Sequence, residues 1–489
     1  MRIEISSLGP TQWAGEALAT GVFKEDSDRF GAMDIRMDGE IRKLFSRGMF
    51  EGDWKQTYML DTHGKLDCER LLLIGLGERS KFDLARLRKA SALVTRFLKE
   101  AGISNFATDL HGTGPGSTEE RAQAVTEGMM LGNYRFTRKH EEKPKGIVSA
   151  VLLERNDMNR VRRGIESGEV IAESVNRTRN LVNGPAGEVT ADFLAGEAAK
   201  LANRYGLKIT VIGKSEMELL GMNAILAVNK GSASDPKFVI LEWDGGGRTV
   251  AVVGKGITFD SGGLNLKNTP NIKDMKSDMA GAAVVIGLME AAARLRLPVR
   301  LIGAFVATDN MPGPNATRPG DIITAYNGKT IEVVNTDAEG RLILADALSY
   351  VEKNYRPSAI IDIATLTAAC VVALGHHAAG MLGTDEKLAE MMTAAGRKTG
   401  ERVWQLPLWD EYREMVKGDL TDMVNSGKED VLGPGAITGA AFLSNFVEGT
   451  PWAHLDIAGT AWVPMVTELH PKGATGWGVR LLIELLRNY

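Results

Sequence analysis

Two acidic clusters between Val253 and Arg341 constrain the fold of this 489-residue chain more than any other feature. The first runs Gly254-Lys255-Gly256-Ile257-Thr258-Phe259-Asp260-Ser261-Gly262-Gly263, continues to Lys267, and reaches Asp278 in Lys276-Ser277-Asp278-Met279-Ala280-Gly281. The second is Asn335-Thr336-Asp337-Ala338-Glu339-Gly340-Arg341-Leu342. Together they supply four carboxylates, one arginine and, besides Lys276, two lysines, mostly on short glycine-flanked turns. Carboxylates gathered at one point repel each other, so a fold that unites them must bring positive charge, and divalent metal ions are the usual source. Neither Cys nor His lies between Val253 and Arg341. The ligand set is therefore oxygen-rich, which suits magnesium, manganese or carboxylate-bound zinc rather than a structural Cys/His zinc site. Four carboxylates exceed the needs of one ion with open positions. They point to a two-metal site, in which a bridging hydroxide serves hydrolysis.

The flanking pattern says where such clusters would sit. Thr249–Val253 reads as a strand, with Lys255 and Asp260 after it, and Thr330–Val334 as another, with Asp337 and Glu339 after it. Ser277–Leu297 reads as a helix carrying Asp278 in its first turn, and Leu342–Asn354 as a second helix. Phe238–Trp243 and Thr249–Val253 flank Asp244-Gly-Gly-Gly247, and Ile322–Tyr326 and Thr330–Val334 flank Asn327-Gly328; both junctions carry hairpin chemistry. Strands alternating with helices predict α/β architecture with a mostly parallel or mixed sheet covered by helices, and open α/β sheets bind ligands outside the carboxyl ends of their strands.

At this length more than one domain is expected. Residues 1–160 read as an N-terminal α/β domain, 161–182 as a charged amphipathic linking helix, and 183–489 as the domain that carries the clusters. In the first domain, Leu71-Leu-Leu-Ile-Gly75-Leu-Gly77 has the apolar run of a buried parallel strand. Its glycines lack the third member of a dinucleotide motif and are read as a structural turn. A net charge of −4 gives no support for a nucleic-acid or membrane-surface protein. The distant pair Cys68 and Cys370 suggests no disulfide framework and fits a reducing compartment. Met1-Arg-Ile-Glu-Ile5 reads as a strand, not a signal peptide, and no uncharged apolar run is long enough for a membrane span.

Each cluster has a simpler explanation when taken alone. Asp337 can cap the following helix with Glu339 in its first turn. Lys255 between glycines lacks a Walker pattern, and a lysine beside carboxylates is ordinarily an ion pair. His376-His377 reads as a helix-end pair, His454 as a hydrogen-bonded core residue and Cys370 as a small apolar one.

The octapeptide Asn335–Leu342 resembles the signature of the cytosolic leucyl aminopeptidases, a family of dinuclear metallopeptidases. The segments Val253–Gly263, Lys267 and Met275–Ala283 match the same family with their spacing intact. So do Ala364-Thr365-Leu366-Thr367, Trp404-Gln-Leu-Pro407 and His454-Leu-Asp-Ile-Ala-Gly459. The likeness extends from about Asn180 to Leu482. It departs at Asn183-Gly-Pro185-Ala-Gly187, at Ala191 and near Thr475-Gly-Trp477, and the first 160 residues, macro-domain-like at most, match weakly.

The resemblance implies two divalent ions per subunit, manganese or zinc, with magnesium or cobalt also admitted by the ligands. One would be held by Lys255, Asp260, Asp278 and Glu339, the other by Asp260, Asp337 and Glu339. Lys267 would polarise the scissile carbonyl, and Arg341 would hold a bicarbonate that shuttles the proton of the bridging water. Met275, Asn335, Thr365, Leu366 and Ala458 would line the pocket for an apolar first residue. The family implies a cytoplasmic homohexamer that removes N-terminal residues, preferably Leu, from short peptides by attack of a metal-bridging water. Two rivals remain at this stage. One is a two-metal hydrolase of another substrate, such as a phosphoesterase. The other is a binding role, possibly towards DNA.

Overall fold

The computed structural model describes residues 1–26, 30–137, 146–427 and 433–489. It divides into two compact units, Met1–Glu173 with Val466–Pro471, and Ser174–Met465 with Lys472–Tyr489. The helix Met158–Asn183 is continuous across the division. Among the described residues, no helix is long and apolar enough to cross a membrane.

The first unit is built on β1 (Arg2–Ser6), β2 (Gly15–Phe23), β3 (Thr57–Asp61), β4 (Cys68–Gly77), β5 (Asn105–Thr108) and β6 (Ser149–Leu153), ordered β1-β6-β5-β2-β4-β3. Every pairing is parallel except β3 with β4. The N-terminal residues do form a strand, and β4 is the buried apolar run. Gly75 lies inside β4 rather than in a turn: a Cβ there would sit 1.9 Å from the Asp53 carbonyl oxygen. The glycine answers to close backbone approach, not to phosphate. The helix Thr118–Asn133 starts at a capping box formed by Ser117 and Glu120.

The second unit carries an eight-stranded sheet. Its strands are β7 (Lys208–Ile212), β8 (Lys237–Asp244), β9 (Thr249–Asp260), β10 (Arg300–Asn310), β13 (Ala359–Ala364), β14 (Ala379–Gly383), β15 (Val403–Gln405) and β17 (Trp452–Asp456). The order is β15-β14-β17-β13-β9-β10-β8-β7. The four central strands, β17, β13, β9 and β10, are mutually parallel, and antiparallel pairings enter on both sides. A small sheet joins β11 (Asp321–Thr324), β12 (Thr330–Val333) and β16 (Met423–Val424). β11 and β12 form the hairpin expected at Asn327-Gly328, where Gly328 has φ +90°.

The structure corrects three expectations. The Asp244–Gly247 turn does not make a hairpin, because β10 lies between β8 and β9 and pairs with both. Its glycines admit the chain leading into β10: a Cβ on Gly245 would lie 1.9 Å from the Leu297 oxygen, and one on Gly247 2.6 Å from the Pro298 oxygen. Second, β9 does not stop at Val253 but continues through Lys255 to Asp260. Gly254, which reads as a strand end, is required where the helix Ala280–Leu295 meets the strand, since its Cβ would lie 2.5 Å from the Gly281 oxygen. Third, Asp278 precedes that helix. It follows a 3-10 turn, Met275–Ser277, and its N–H donates to the Met275 oxygen.

Candidate metal centre

β9 delivers the first two residues of the centre, and β10 and β13 flank it with their carboxyl ends. Lys255, 2% exposed, projects to where the helices Ala280–Leu295 and Gly340–Tyr355 begin. Glycines make the space. A Cβ on Gly340 would lie 2.5 Å from Lys255 Cε, and one on Gly281 2.7 Å from the Lys255 nitrogen. Lys255 Nζ donates to Asp278 Oδ1 and to the Thr365 carbonyl, both at 2.9 Å, and lies 2.8 Å from Glu339 Oε1. Thr365 Oγ1 in turn donates to Asp278 Oδ1 at 2.6 Å. Thr365, expected as a pocket residue, thus also holds a candidate ligand.

Asp260 ends β9. Its Oδ1 accepts from Gly262 N and Asn310 Nδ2, both 2.9 Å, and its Oδ2 lies 2.8 Å from Lys267 Nζ. Lys267 also reaches Asp337 Oδ1 at 2.5 Å. The 261–267 loop closes on itself through Lys267 N to the Ser261 oxygen and rests on the second cluster. Asn265 N donates to Thr336 Oγ1, Thr336 N donates to Asn265 Oδ1, and Thr336 Oγ1 donates to the Gly262 oxygen. Gly262 and Gly263 take φ of +89° and +65°, which side chains resist. Asn425 fastens the other side of the second cluster. Its Oδ1 accepts from Val334 N and Asn335 N, its Nδ2 donates to the Asn335 and Ala338 oxygens, and its carbonyl accepts from Arg341 Nη1 at 2.8 Å.

The capping explanation of Asp337 and Glu339 fails. Glu339 occupies the N-cap of Gly340–Tyr355 in a helical conformation and makes no side-chain cap bond. Instead Asp260, Asp337 and Glu339 each offer a carboxylate oxygen, and these atoms lie within 4.8 Å of one another. Asp278 joins them through Lys255. Four carboxylates thus face two ammonium groups, and the buried Glu339 Oε2 has no hydrogen-bond partner among the described residues. Burial pushes the Glu339, Asp337 and Asp278 carboxyls above the ordinary range, and Asp260 pushes each further. Burial alone would lower the Lys255 ammonium, but Asp278, Glu339 and Asp260 outweigh it and hold it well above the usual lysine value. Lys267 is raised against burial in the same way, by Asp260 first. The donor set therefore fits divalent cations: surplus negative charge, an unsatisfied buried oxygen, and only oxygen and amine donors.

Arg341 is buried, beside the helix Gly435–Leu443, where a Cβ on Gly439 would lie 3.4 Å from Nη2. The remaining pocket candidates, Met275, Asn335, Leu366 and Ala458, are all half-buried, as is Thr365. Leu366 N and Ala458 N both donate to Asp456 Oδ1, so one buried carboxylate ties their two loops. Asn335 Oδ1 accepts from Asp337 N and so shapes the signature turn. His454 is fully buried with Nδ1 2.6 Å from Asp362 Oδ1; burial would lower its pKa, but Asp362 raises it. His376 is held by the Gly459 carbonyl. Cys370 is buried, and burial pushes its thiol up to about 12. Two of the three sequence departures meet: Asn183 Oδ1 accepts from Ala474 N, and a Cβ on Gly473 would lie 2.6 Å from that oxygen.

Sequence reasoning missed Asn310, Asn265 and Asn425. Asn310 ends an apolar strand next to Asp260, and the carboxyl-end rule that drew attention to Asp260 applies to it equally. Asn425 lies far along the chain and carries no local signal.

A model for the catalytic domain of the cytosol aminopeptidase family matches residues 176–483, and one for the N-terminal domain of that family matches 19–143, where residue patterns alone gave a weak likeness. The chain is 46% identical over 496 residues to a protein of Geobacter sp. named "Probable cytosol aminopeptidase", with 100% of each covered. It is 43% identical to a protein of the same name from Roseiflexus castenholzii, covering 100% of this chain and 99% of that one. Among solved structures it is similar to the bottromycin maturation enzyme BotP in complex with Mn, at 34% identity, TM-score 0.87, and 97% and 99% coverage. It is also similar to a single-substitution form of tomato leucine aminopeptidase, at 34% identity, TM-score 0.89, and 100% and 97% coverage.

Proposed function

The chain belongs to the cytosol aminopeptidase family and is an aminopeptidase, an exopeptidase of the hydrolase class; from that premise we propose a two-metal mechanism acting on short peptides with a free N-terminus. The observation that carries the proposal is the Asp260–Asp337–Glu339 trio, with its oxygens within 4.8 Å and Glu339 Oε2 without a hydrogen-bond partner. Asp260, Asp337 and Glu339 would hold one divalent ion. Lys255, Asp260, Asp278 and Glu339 would hold the other, Lys255 as a neutral amine once the incoming cation displaces its proton to solvent. When bound, the two ions supply Lewis acidity and an activated water, with manganese or zinc the expected metals.

The chain's own groups do the rest. Lys267 is the more exposed of the two lysines, its side chain 16% accessible against 3% for Lys255. It is placed to donate to the scissile carbonyl oxygen and to stabilise the charge that develops there. Arg341 offers its guanidinium to a bicarbonate that serves as base. Met275, Asn335, Thr365, Leu366 and Ala458 line the pocket for an apolar first side chain. A substrate's α-amino group, which an internal peptide bond lacks, explains why cleavage is restricted to the first residue. Homohexameric assembly and a cytoplasmic location belong to this reading by family resemblance, and light scattering of the purified protein tests the first.

The test is hydrolysis of Leu-p-nitroanilide and its N-acetylated form by chelator-stripped protein, with no metal, manganese or zinc. Metal-restored cleavage of the free-amine substrate alone is the expected result. Equal cleavage of the acetylated substrate, or no cleavage with two ions bound, rejects the reading and turns attention to another hydrolysis.

A further inference from the structure

Asn310 lies outside the proposed ligand set, yet it touches both ligand-bearing loops. It is 4% exposed at the end of β10. The register between β9 and β10 shifts there, pairing Thr308 with Ile257 but Asn310 with Asp260, so that one extra residue of β9 is accommodated. Bulges of this kind re-aim a side chain beside active sites. Both hydrogens of the Asn310 amide are used: Nδ2 donates to Asp260 Oδ1 at 2.9 Å and to the Thr336 carbonyl at 3.0 Å. Its own carbonyl accepts from Ser261 N at 3.0 Å and Ser261 Oγ at 2.6 Å. Its Oδ1 faces Gly263, where a Cβ would lie 2.9 Å away.

We propose that Asn310 is a positioning residue that fixes the separation between Asp260 and Asp337 by clamping the first loop to the second. The inference rests on the two-ion reading above. Lys255, Asp278 and Glu339 have side chains no more than 7% accessible, held between strand and helix starts. Asp337 is 32% accessible and sits on a turn. Lys267 pairs with both carboxylates, and among the described residues the remaining ties between the two loops are hydrogen bonds, of which Asn310 supplies the strand-borne ones. An amide N–H on a carboxylate also fixes which oxygen remains for an ion, and loss of such an orienting partner typically costs roughly 10- to 100-fold in metal affinity. The ion of the Asp260–Asp337–Glu339 trio should depend on the clamp more than the ion at Lys255 and Asp278.

The experiment titrates Mn2+ alone into metal-free full-length protein, by chelator competition, for wild type, Asn310→Ala, Asn310→Ser and Asn229→Ala. Asn229 is a matched control, 3% exposed, donating to the Ser234 oxygen and Thr308 Oγ1 but to no candidate ligand. Expected for Asn310→Ala is one Mn2+ weakened by roughly 10- to 100-fold with the other unchanged, and loss of the electron-spin coupling between the two ions. Asn310→Ser, which cannot span both loops, should behave alike and serves if the alanine variant does not fold. Asn229→Ala should lower the Tm but leave both affinities in place. Two Mn2+ bound with wild-type affinity by either Asn310 variant, or equal weakening in Asn229→Ala, overturns the proposal. A wild type that takes up fewer than two Mn2+ instead overturns the two-ion reading.

Discussion

Glu339 and Asp346 lie on the same helix face of the same domain, seven residues apart, and both are buried. Their surroundings differ completely. Asp346 has three backbone donors: Ala224 N and Ile225 N to Oδ2, and Tyr326 N to Oδ1. Burial still pushes its carboxyl up to about 7, against the pull of those three bonds. Among the described residues Glu339 has no backbone donor. It has a lysine 2.8 Å from one oxygen, no hydrogen bond on the other, and acidic neighbours. A buried carboxylate satisfied by N–H groups fastens loops together. One left without such donors, among other carboxylates, is a candidate ligand.

Substitutions should separate these two kinds of carboxylate. The largest effect is expected for Glu339→Gln, which keeps the shape but removes the charge shared by both proposed ion sites. Metal uptake and peptidase activity should fall below detection while circular dichroism stays native; retained binding of two ions would break the comparison. Next is Lys267→Ala, expected to keep both ions and KM but lower kcat by roughly 100- to 1,000-fold, as loss of an oxyanion donor does. Unchanged kcat would remove Lys267 from the chemistry. Gly340→Ala should displace the Lys255 side chain and weaken one ion by roughly 10- to 100-fold, measured by the same chelator competition.

Asp346→Asn should do the reverse of Glu339→Gln. Turning an amide towards backbone N–H groups should cost about 1–3 kcal/mol of stability in urea unfolding, with ion affinities unchanged. The smallest effect is in pH dependence. The folded Asp346 carboxyl, near 7, exceeds the unfolded value of about 3.9, so the folded state holds the extra proton between them. Its contribution to stability is fully present below about pH 4 and is lost as pH rises towards 7, by at most about 1.4 kcal/mol per pH unit. Asp346→Asn should flatten that portion of the stability profile, and an unaltered slope would show that the three N–H donors hold the group ionised.

The sequence alone determined the α/β class, the Asn327-Gly328 hairpin and the cluster that gathers at the sheet's carboxyl edge. Those rest on local chemistry: periodicity, turn residues and the mutual repulsion of four acids. The same local chemistry misled where glycine was concerned. Gly254, Gly75 and the Asp244–Gly247 turn read as strand ends or a hairpin, whereas each serves a close approach by a distant segment, which no neighbouring residue announces. The partners of the proposed ligands were equally hidden. Asn310 lies 50 residues from Asp260, and Asn425 lies 84 residues from Arg341. Their hydrogen bonds exist only because β10 inserts between β8 and β9 and because the Asn425 segment follows β16, which pairs with β12. Residue types and short spacings singled out the proposed cation-binding groups. The tertiary structure decided which of their oxygens are already taken, since that depends on donors contributed from far along the chain.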